Sequence, residues 1–256
     1  MSVKPRDWDA VTYDRVSDPQ VQWATAVLDR LALEGDETVL DAGCGSGRVT
    51  RLLAQRLPRG RVVAVDAAPS MVELAREAVG DRGEVILADL ARLELSESVD
   101  AVFSNAVFHW LEDHDALFGA MFAALAPGGR LVAQCGGAGN VDAFHALALE
   151  VGREKRYAQH FEGWHGPWNF AGPQETAARL SATGFEAVET WLERRLIDLD
   201  DPLAYLSAVC LGPHLDRLPA ELRCDYAERV TEMAQDARGH VALAYVRLNI
   251  SARRPA

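Results

Sequence analysis

Val39-Leu40-Asp41-Ala42-Gly43-Cys44-Gly45-Ser46-Gly47-Arg48 is the stretch whose reading decides the fold. It runs from the end of a buried strand through an acid, across three glycines at alternate positions, and into a helix start. Glycine has no Cβ, so the chain can turn tightly there and a ligand can lie directly on the backbone. In the dinucleotide-binding turn the third glycine follows the second by three positions, where it eases helix packing beside a pyrophosphate. Here Gly47 follows Gly45 by only two, and Asp41 stands two before Gly43. A carboxylate so placed repels a pyrophosphate and attracts a cation. The expected ligand is positively charged and carries no phosphate.

The flanking sequence repeats the pattern. Arg61-Val62-Val63-Ala64-Val65-Asp66 is a second apolar strand closing on an acid. At the end of the second strand of a βαβ unit, an acid accepts hydrogen bonds from ribose hydroxyls. A third strand, Glu84 to Ala88, ends at Asp89; a fourth runs from Asp100 to Asn105; a fifth, Arg130 to Gln134, is entered through the turn Pro127-Gly128-Gly129. Four signatures in this order resemble the class I S-adenosylmethionine-dependent methyltransferases, whose cofactor carries an ammonium, a sulfonium and an adenosine. The resemblance implies that Asp66 holds the ribose and Asp89 the adenine amino group. It also implies that Asp41, Gly43, Cys44 and Gly45 lie against the methionine part, with backbone groups of Asn105 and Ala106. Ala67, Met71, Ala88 and Leu90 complete the implied cofactor surface.

Composition narrows the partners. The chain has 256 residues, 49% hydrophobic and 25% charged, which suits one α/β domain with insertions. There is no run of eighteen apolar residues, so no membrane-spanning helix is expected, and the N-terminus lacks the apolar stretch of a secretory signal. The expected location is cytoplasmic. Net charge is −12, from 26 basic and 38 acidic residues, without the basic footprint that nucleic-acid binding needs. No nucleic acid and no membrane surface is expected as partner; a small-molecule substrate is. The oligomeric state is not legible. The four cysteines show no zinc spacing; Cys44 belongs to the glycine turn, and Cys135, Cys210 and Cys224 are expected to be small buried hydrophobes. The seven histidines show no metal-binding spacing, so no metal is assigned.

Strand–helix alternation of this pitch demands a doubly wound, mostly parallel sheet with right-handed crossovers. Helices are expected near 19–33, 47–57, 69–79 and 113–126, then 141–157. Sheet character returns at Phe185 to Trp191, and 201–238 reads as helical, broken at Gly212-Pro213 and Pro219. A last strand, Val241 to Ala252, inserted antiparallel, completes a seven-stranded Rossmann-like α/β sheet. Segments 140–172 and 201–238 are read as cap insertions on this single domain.

Several residues carry two readings. His109, just past the fourth strand, is either a general base for a substrate hydroxyl or amine, or a structural histidine beneath the cofactor. Tyr13 is expected to face the sulfonium through a cation–π contact, whereas Trp23 is expected to pack in a helix seam with Val27 and Leu31. Trp164, His165, Trp168 and Phe170 either line an apolar acceptor pocket or form the buried face of a cap helix. Arg153, Lys155 and Arg156 either steer a carboxylate or make a solvated basic turn.

The block Asn105 to His114, together with Leu125 to Leu131 and Trp8 to Tyr13, is similar to the trans-aconitate methyltransferases over roughly residues 8–140. It departs at His109, where that family usually carries glutamine. That family methylates a carboxylate oxygen, which needs no base; a histidine instead suits a hydroxyl, an amine or an activated carbon. The expected activity is in-line methyl transfer from S-adenosylmethionine to a small molecule. A catalytically silent cofactor-binding module with a protein partner, or an NAD-dependent dehydrogenase, are the alternatives.

Overall fold

The computed structural model describes residues 18–256, with side chains from residue 23 onward. Seven strands form one sheet: β1 (Thr38–Ala42), β2 (Arg61–Asp66), β3 (Gly83–Leu87), β4 (Val99–Asn105), β5 (Leu125–Gly136), β6 (Glu186–Asp198) and β7 (Ala242–Arg253), in the order β3-β2-β1-β4-β5-β7-β6. Every ladder from β3 to β5 is parallel, and β7 runs antiparallel to both β5 and β6. β1 and β2 read as near-continuous apolar runs because helices cover both faces of a parallel sheet.

Those helices are α1 (Asp18–Arg30), α2 (Arg48–Gln55) and α3 (Pro69–Val79) on one side, and α4 (His114–Ala124) with α7 (Pro173–Thr183) on the other. Between α4 and α7 in the chain come α5 (Asp142–Gly152) and α6 (Ala158–Phe161); beyond β6 come α8 (Pro202–Tyr205), α9 (Gly212–Arg217) and α10 (Ala220–Ala234). Leu40, Leu53, Leu117 and Met121 have 0% exposure; burying such a side chain contributes roughly 1.5–3 kcal/mol. A separate apolar cluster, which includes Trp23, Phe144, Val151, Tyr157, Leu206, Tyr226 and Leu243, knits α5, α6 and α8–α10 to the start of β7. The strand order reverses between β1 and β4, so a crevice opens outside their carboxyl ends, where ligands of such sheets bind.

The differences from the sequence reading have local causes. The helix expected over 141–157 spans only Asp142–Gly152, and the ring of Phe161 packs on Gly152, 3.0 Å from where a Cβ would stand. The helical run is interrupted at Gly212-Pro213 as expected: a π-helical stretch from Leu206 to Cys210 ends there and α9 starts anew, with proline in its first turn. β6 runs past Trp191 to Asp198 because its pairing with β7 continues to Asp198–Ala242. Cys224 is exposed: the inward face of α10 is Tyr226, Ala227, Val230 and Thr231, and residue 224 points away from it. Trp23 leaves the seam of Val27 and Leu31 and packs edge-on against Tyr245 at 5.1 Å instead. No helix among the described residues is long and apolar enough to cross a membrane.

Candidate active site

The glycine turn is held from below. The N–H groups of Gly43 and Cys44 both donate to the carbonyl of Val65, at 2.8 and 3.0 Å, which fixes the turn to the end of β2. The three glycines then serve three purposes. Gly43, at φ +91, has the Val107 side chain within 2.2–2.8 Å of its missing Cβ, so its bare side accommodates the segment after β4. A Cβ on Gly47, at φ +84, would stand 2.9 Å from Ala75 and Ala78, so its absence lets the start of α2 pack against α3. Only Gly45, at φ +54, faces open space. Of the two glycines expected against the ligand, Gly43 has its Cβ side filled by Val107 and Gly45 has it open.

Three acids lie at the carboxyl ends of β1, β2 and β3. Asp66, closing β2, accepts the Gly45 N–H at 2.9 Å on one oxygen and the Ala68 N–H at 2.9 Å on the other. A carboxylate offers about four lone-pair sites, so Asp66 keeps acceptor capacity beyond the N–H groups that it already binds. Burial raises its pKa, against the N–H bonds from Ala68, Gly45 and Ala67. Asp41 sits behind the turn, 2% exposed, accepting from the Thr50 hydroxyl at 2.7 Å. Burial pushes it up to about 7, with the Thr50 bond opposing and the charge of Asp66 adding. Asp89, after β3, is exposed and caps the turn Leu90–Arg92 through the Ala91 N–H at 3.0 Å. Ala88 donates its N–H to the Asp66 carbonyl at 3.0 Å; Met71 and Leu90, 4% and 5% exposed, lie beneath as apolar packing. Cys44 is buried, and burial pushes its thiol far above its ordinary range.

At the end of β4 the Ser104 hydroxyl donates to the Ala42 carbonyl at 2.7 Å, tying β4 to β1. Ala106 takes the left-handed conformation, φ +63, rare for a residue with a Cβ. Its N–H donates to the Gln134 carbonyl at 2.7 Å, so Asn105 and Ala106 turn out of the sheet at the crevice. His109 follows, 7% exposed, its Nδ1 accepting the Gly136 N–H at 3.2 Å. Burial, with Arg247, His114 and His145 nearby, holds its pKa well below the ordinary value. A neutral imidazole whose Nδ1 accepts carries its proton on Nε2. With Nδ1 taken by the Gly136 N–H, Nε2–H is left as a donor.

Sequence reasoning did not single out Arg247, Gln134, His145 and His214. Arg247, opposite Gly136 in the β5–β7 ladder, is 3% exposed and is the only buried arginine or lysine among the residues whose side chains are described. Its Nε donates to the Gln134 side chain at 3.3 Å, and its guanidinium lies 5.2 Å above the Trp23 ring. Its one sequence signal is that it is the single charged residue of the strand Val241 to Ala252. His145 stacks on Trp168 at 4.2 Å and faces His214 at 6.1 Å. Trp164 and Trp168 are half-buried beside them, and Phe170 stacks on His109 at 5.6 Å, whereas His165 is exposed. Arg156 pairs with Asp225 at the surface, and Arg153 and Lys155 are exposed. Tyr13 lies outside the described residues. A groove of about 700 Å³ opens at the opposite, amino ends of the strands around Glu37 and Arg130 and contains none of the predicted site residues.

A methyltransferase-domain family profile matches residues 40–133. Trans-aconitate 2-methyltransferase of Variovorax paradoxus is 30% identical over 259 residues, covering 98% of this chain and 99% of its own. The Escherichia coli protein of that name is 31% identical over 256 residues, covering 97% and 98%. A putative methyltransferase from Bacillus halodurans superposes with a TM-score of 0.62 at 18% identity, over 91% of this chain and 99% of its own. Haemonchus contortus phosphoethanolamine N-methyltransferase 2 with bound S-adenosylmethionine gives 0.62 at 18% identity, over 96% of this chain and 57% of that one. The chain belongs to the class I S-adenosylmethionine-dependent methyltransferases, in the family of trans-aconitate 2-methyltransferase, and moves a methyl group from that cofactor to a small molecule.

Proposed function

We propose that the acceptor atom is a carboxylate oxygen of a small acid seated at the carboxyl ends of β4, β5 and β7. The observation that carries this reading is the Gly136 N–H on His109 Nδ1, 3.2 Å away. It uses the ring nitrogen a base would need and leaves Nε2–H as a donor. A hydroxyl or amine must lose a proton to react, whereas a carboxylate arrives as a nucleophile. The other two histidines are poor bases, since burial holds His145 down to about 4 and His214 to about 3. The nearly full-length relatives carry the name of an enzyme of a carboxylic acid.

Bound S-adenosylmethionine supplies an electrophilic methyl on a sulfonium. Asp66 takes its ribose, Asp89 its adenine amino group, and the bare face of Gly45 with the backbone at Asn105 and Ala106 takes its methionine part; Tyr13 is assigned to the sulfonium. Arg247 contributes positive charge near the acid, and His109 donates to one acceptor oxygen, leaving the other to react. Segments 140–172 and 201–238 act as a cap that excludes water. Alignment of the two reactants supplies most of the acceleration, ~7–11 kcal/mol in well-oriented systems.

The test is transfer from methyl-labelled S-adenosylmethionine to a panel of small acids, amines and phenols. Label recovered as a base-labile methyl ester supports the reading; stable label on nitrogen or a phenolic oxygen overturns it.

A further inference from the structure

The wall beyond His109 is aromatic and uncharged. Phe170 lies against the end of β5, its Cε1 2.6 Å from where a Cβ on Gly136 would stand. From Phe170 the rings form a continuous surface. His109 stacks on it at 5.6 Å and His145 at 5.8 Å, while Trp168 lies parallel to it, 7° between planes. Trp110 and Trp164 continue the surface at 6.0 and 6.2 Å from Trp168. His214 closes it, 1% exposed, with neither ring nitrogen hydrogen-bonded. Trp110, His145, Trp164, Trp168 and Phe170 are each only half-buried, so the surface is accessible in part.

Charge on this wall is scarce. Its three imidazoles are all held neutral by burial. Arg217 stacks on Trp164 at 5.6 Å, but it is exposed and its Nε donates to the His160 carbonyl at 2.6 Å. Arg247, beside His109, is the one buried cation among the residues whose side chains are described. Each carboxylate taken out of water needs a paired charge or several donors, and burying one without them is costly. Trans-aconitate carries three carboxylates on a six-carbon skeleton with no aromatic ring. The wall suits the opposite distribution, a flat apolar body with a single carboxylate.

We infer that the acceptor is a planar aromatic monocarboxylic acid, its ring against Trp168 and Phe170 and its carboxylate toward His109 and Arg247. The inference rests on the carboxylate reading above and specifies the acid. The two can fail separately.

The direct test compares cinnamate, phenylacetate and trans-aconitate as acceptors for the full-length protein with saturating S-adenosylmethionine, reading methyl-ester formation. Cinnamate and trans-aconitate are both α,β-unsaturated acids, one bearing a phenyl ring and the other two further carboxylates. The expected kcat/KM for an aromatic acid exceeds that for trans-aconitate by at least ~10-fold, the scale of one well-used aromatic contact. Calorimetry of cinnamate with the S-adenosylhomocysteine complex reads binding without turnover. There Trp168→Leu should weaken cinnamate ~3- to 10-fold and leave S-adenosylhomocysteine affinity unchanged. Phe170→Leu provides the same reading should the tryptophan variant not fold. Efficient esterification of trans-aconitate with the aromatic acids inert overturns the inference and leaves carboxylate methylation standing. Aromatic acids bound equally well by the native and ring variants also overturn it. Methylation of amines or phenols with no acid esterified overturns the carboxylate reading itself.

Discussion

The carboxyl ends of β1–β4 and the carboxyl end of β5 with the start of β7 form two halves of one crevice, built by different means. The first half is backbone. Its turns are set by glycines, by N–H groups donated to Val65 and Asp66, and by the left-handed Ala106. The second half is side chains from distant parts of the chain: Trp23, His109, His145, Phe170, His214 and Arg247 meet although more than two hundred residues separate the first from the last. Backbone sites recognise what every member of a cofactor-sharing class must bind. Side-chain sites carry what distinguishes one acceptor from another.

The glycines give the sharpest way to break this contrast. Gly43→Ala drives a Cβ into Val107 at a left-handed position, and should cost about 2–5 kcal/mol from overpacking and backbone strain together. Urea unfolding checks it. Gly45→Ala meets no atom within 4 Å and should cost only about 1–2 kcal/mol, yet weaken S-adenosylmethionine by at least ~10-fold, because its Cβ enters the ligand's space. A destabilised Gly45→Ala with native affinity would show that the turn is built for packing alone.

Asp66→Asn is the next largest. It keeps the shape and removes the charge that holds the loop N–H groups and a ribose diol. Charge-assisted bonds net ~1.5–3 kcal/mol, so S-adenosylmethionine affinity by calorimetry should fall roughly 10- to 100-fold. Acceptor selectivity should not change. An altered acceptor preference in this variant would dissolve the division into two halves.

The same division explains what could be read from the sequence. The strands of the parallel sheet and the glycine turn were legible because each is encoded within about ten residues: an apolar run, an acid, then glycines or a helix start. The fine role of each glycine was not, since the atoms facing Gly43 and Gly47 belong to Val107 and to Ala75 and Ala78, elsewhere in the chain. His109 was found by its place after β4, but its protonated nitrogen depends on the Gly136 N–H across the ladder. Arg247 and His214 carry no local motif at all. Their neighbours come from α1, β5 and the loop 162–170, and only folding brings them together.

His214 gives the smallest effect and separates stability from function. Two buried ring nitrogens without hydrogen bonds weaken the fold, so His214→Phe should raise stability by about 1 kcal/mol in urea unfolding. Its imidazole has a folded pKa of about 3, below its unfolded value. The folded state therefore binds fewer protons, and stability is present above pH ~6.5 and lost as pH falls toward 3. His109 and His145 act in the same sense, and Asp41, raised to about 7, in the opposite one. The difference between the variant and native curves isolates His214: it should grow steadily below pH ~6.5.

The central claim is that the acceptor arrives as an anion and His109 donates to it. The pH dependence of kcat for methyl-ester formation, measured from pH 6 to 9 in the native protein and in His109→Gln, tests it most directly. Glutamine offers an N–H donor and cannot act as a base. The account predicts a native profile without a histidine-like rise, and a His109→Gln enzyme within about tenfold of native, less than the 10²–10⁴-fold a general base is worth. A native rate that climbs through a pKa near 6.5, with both the climb and the activity lost in His109→Gln, would contradict it.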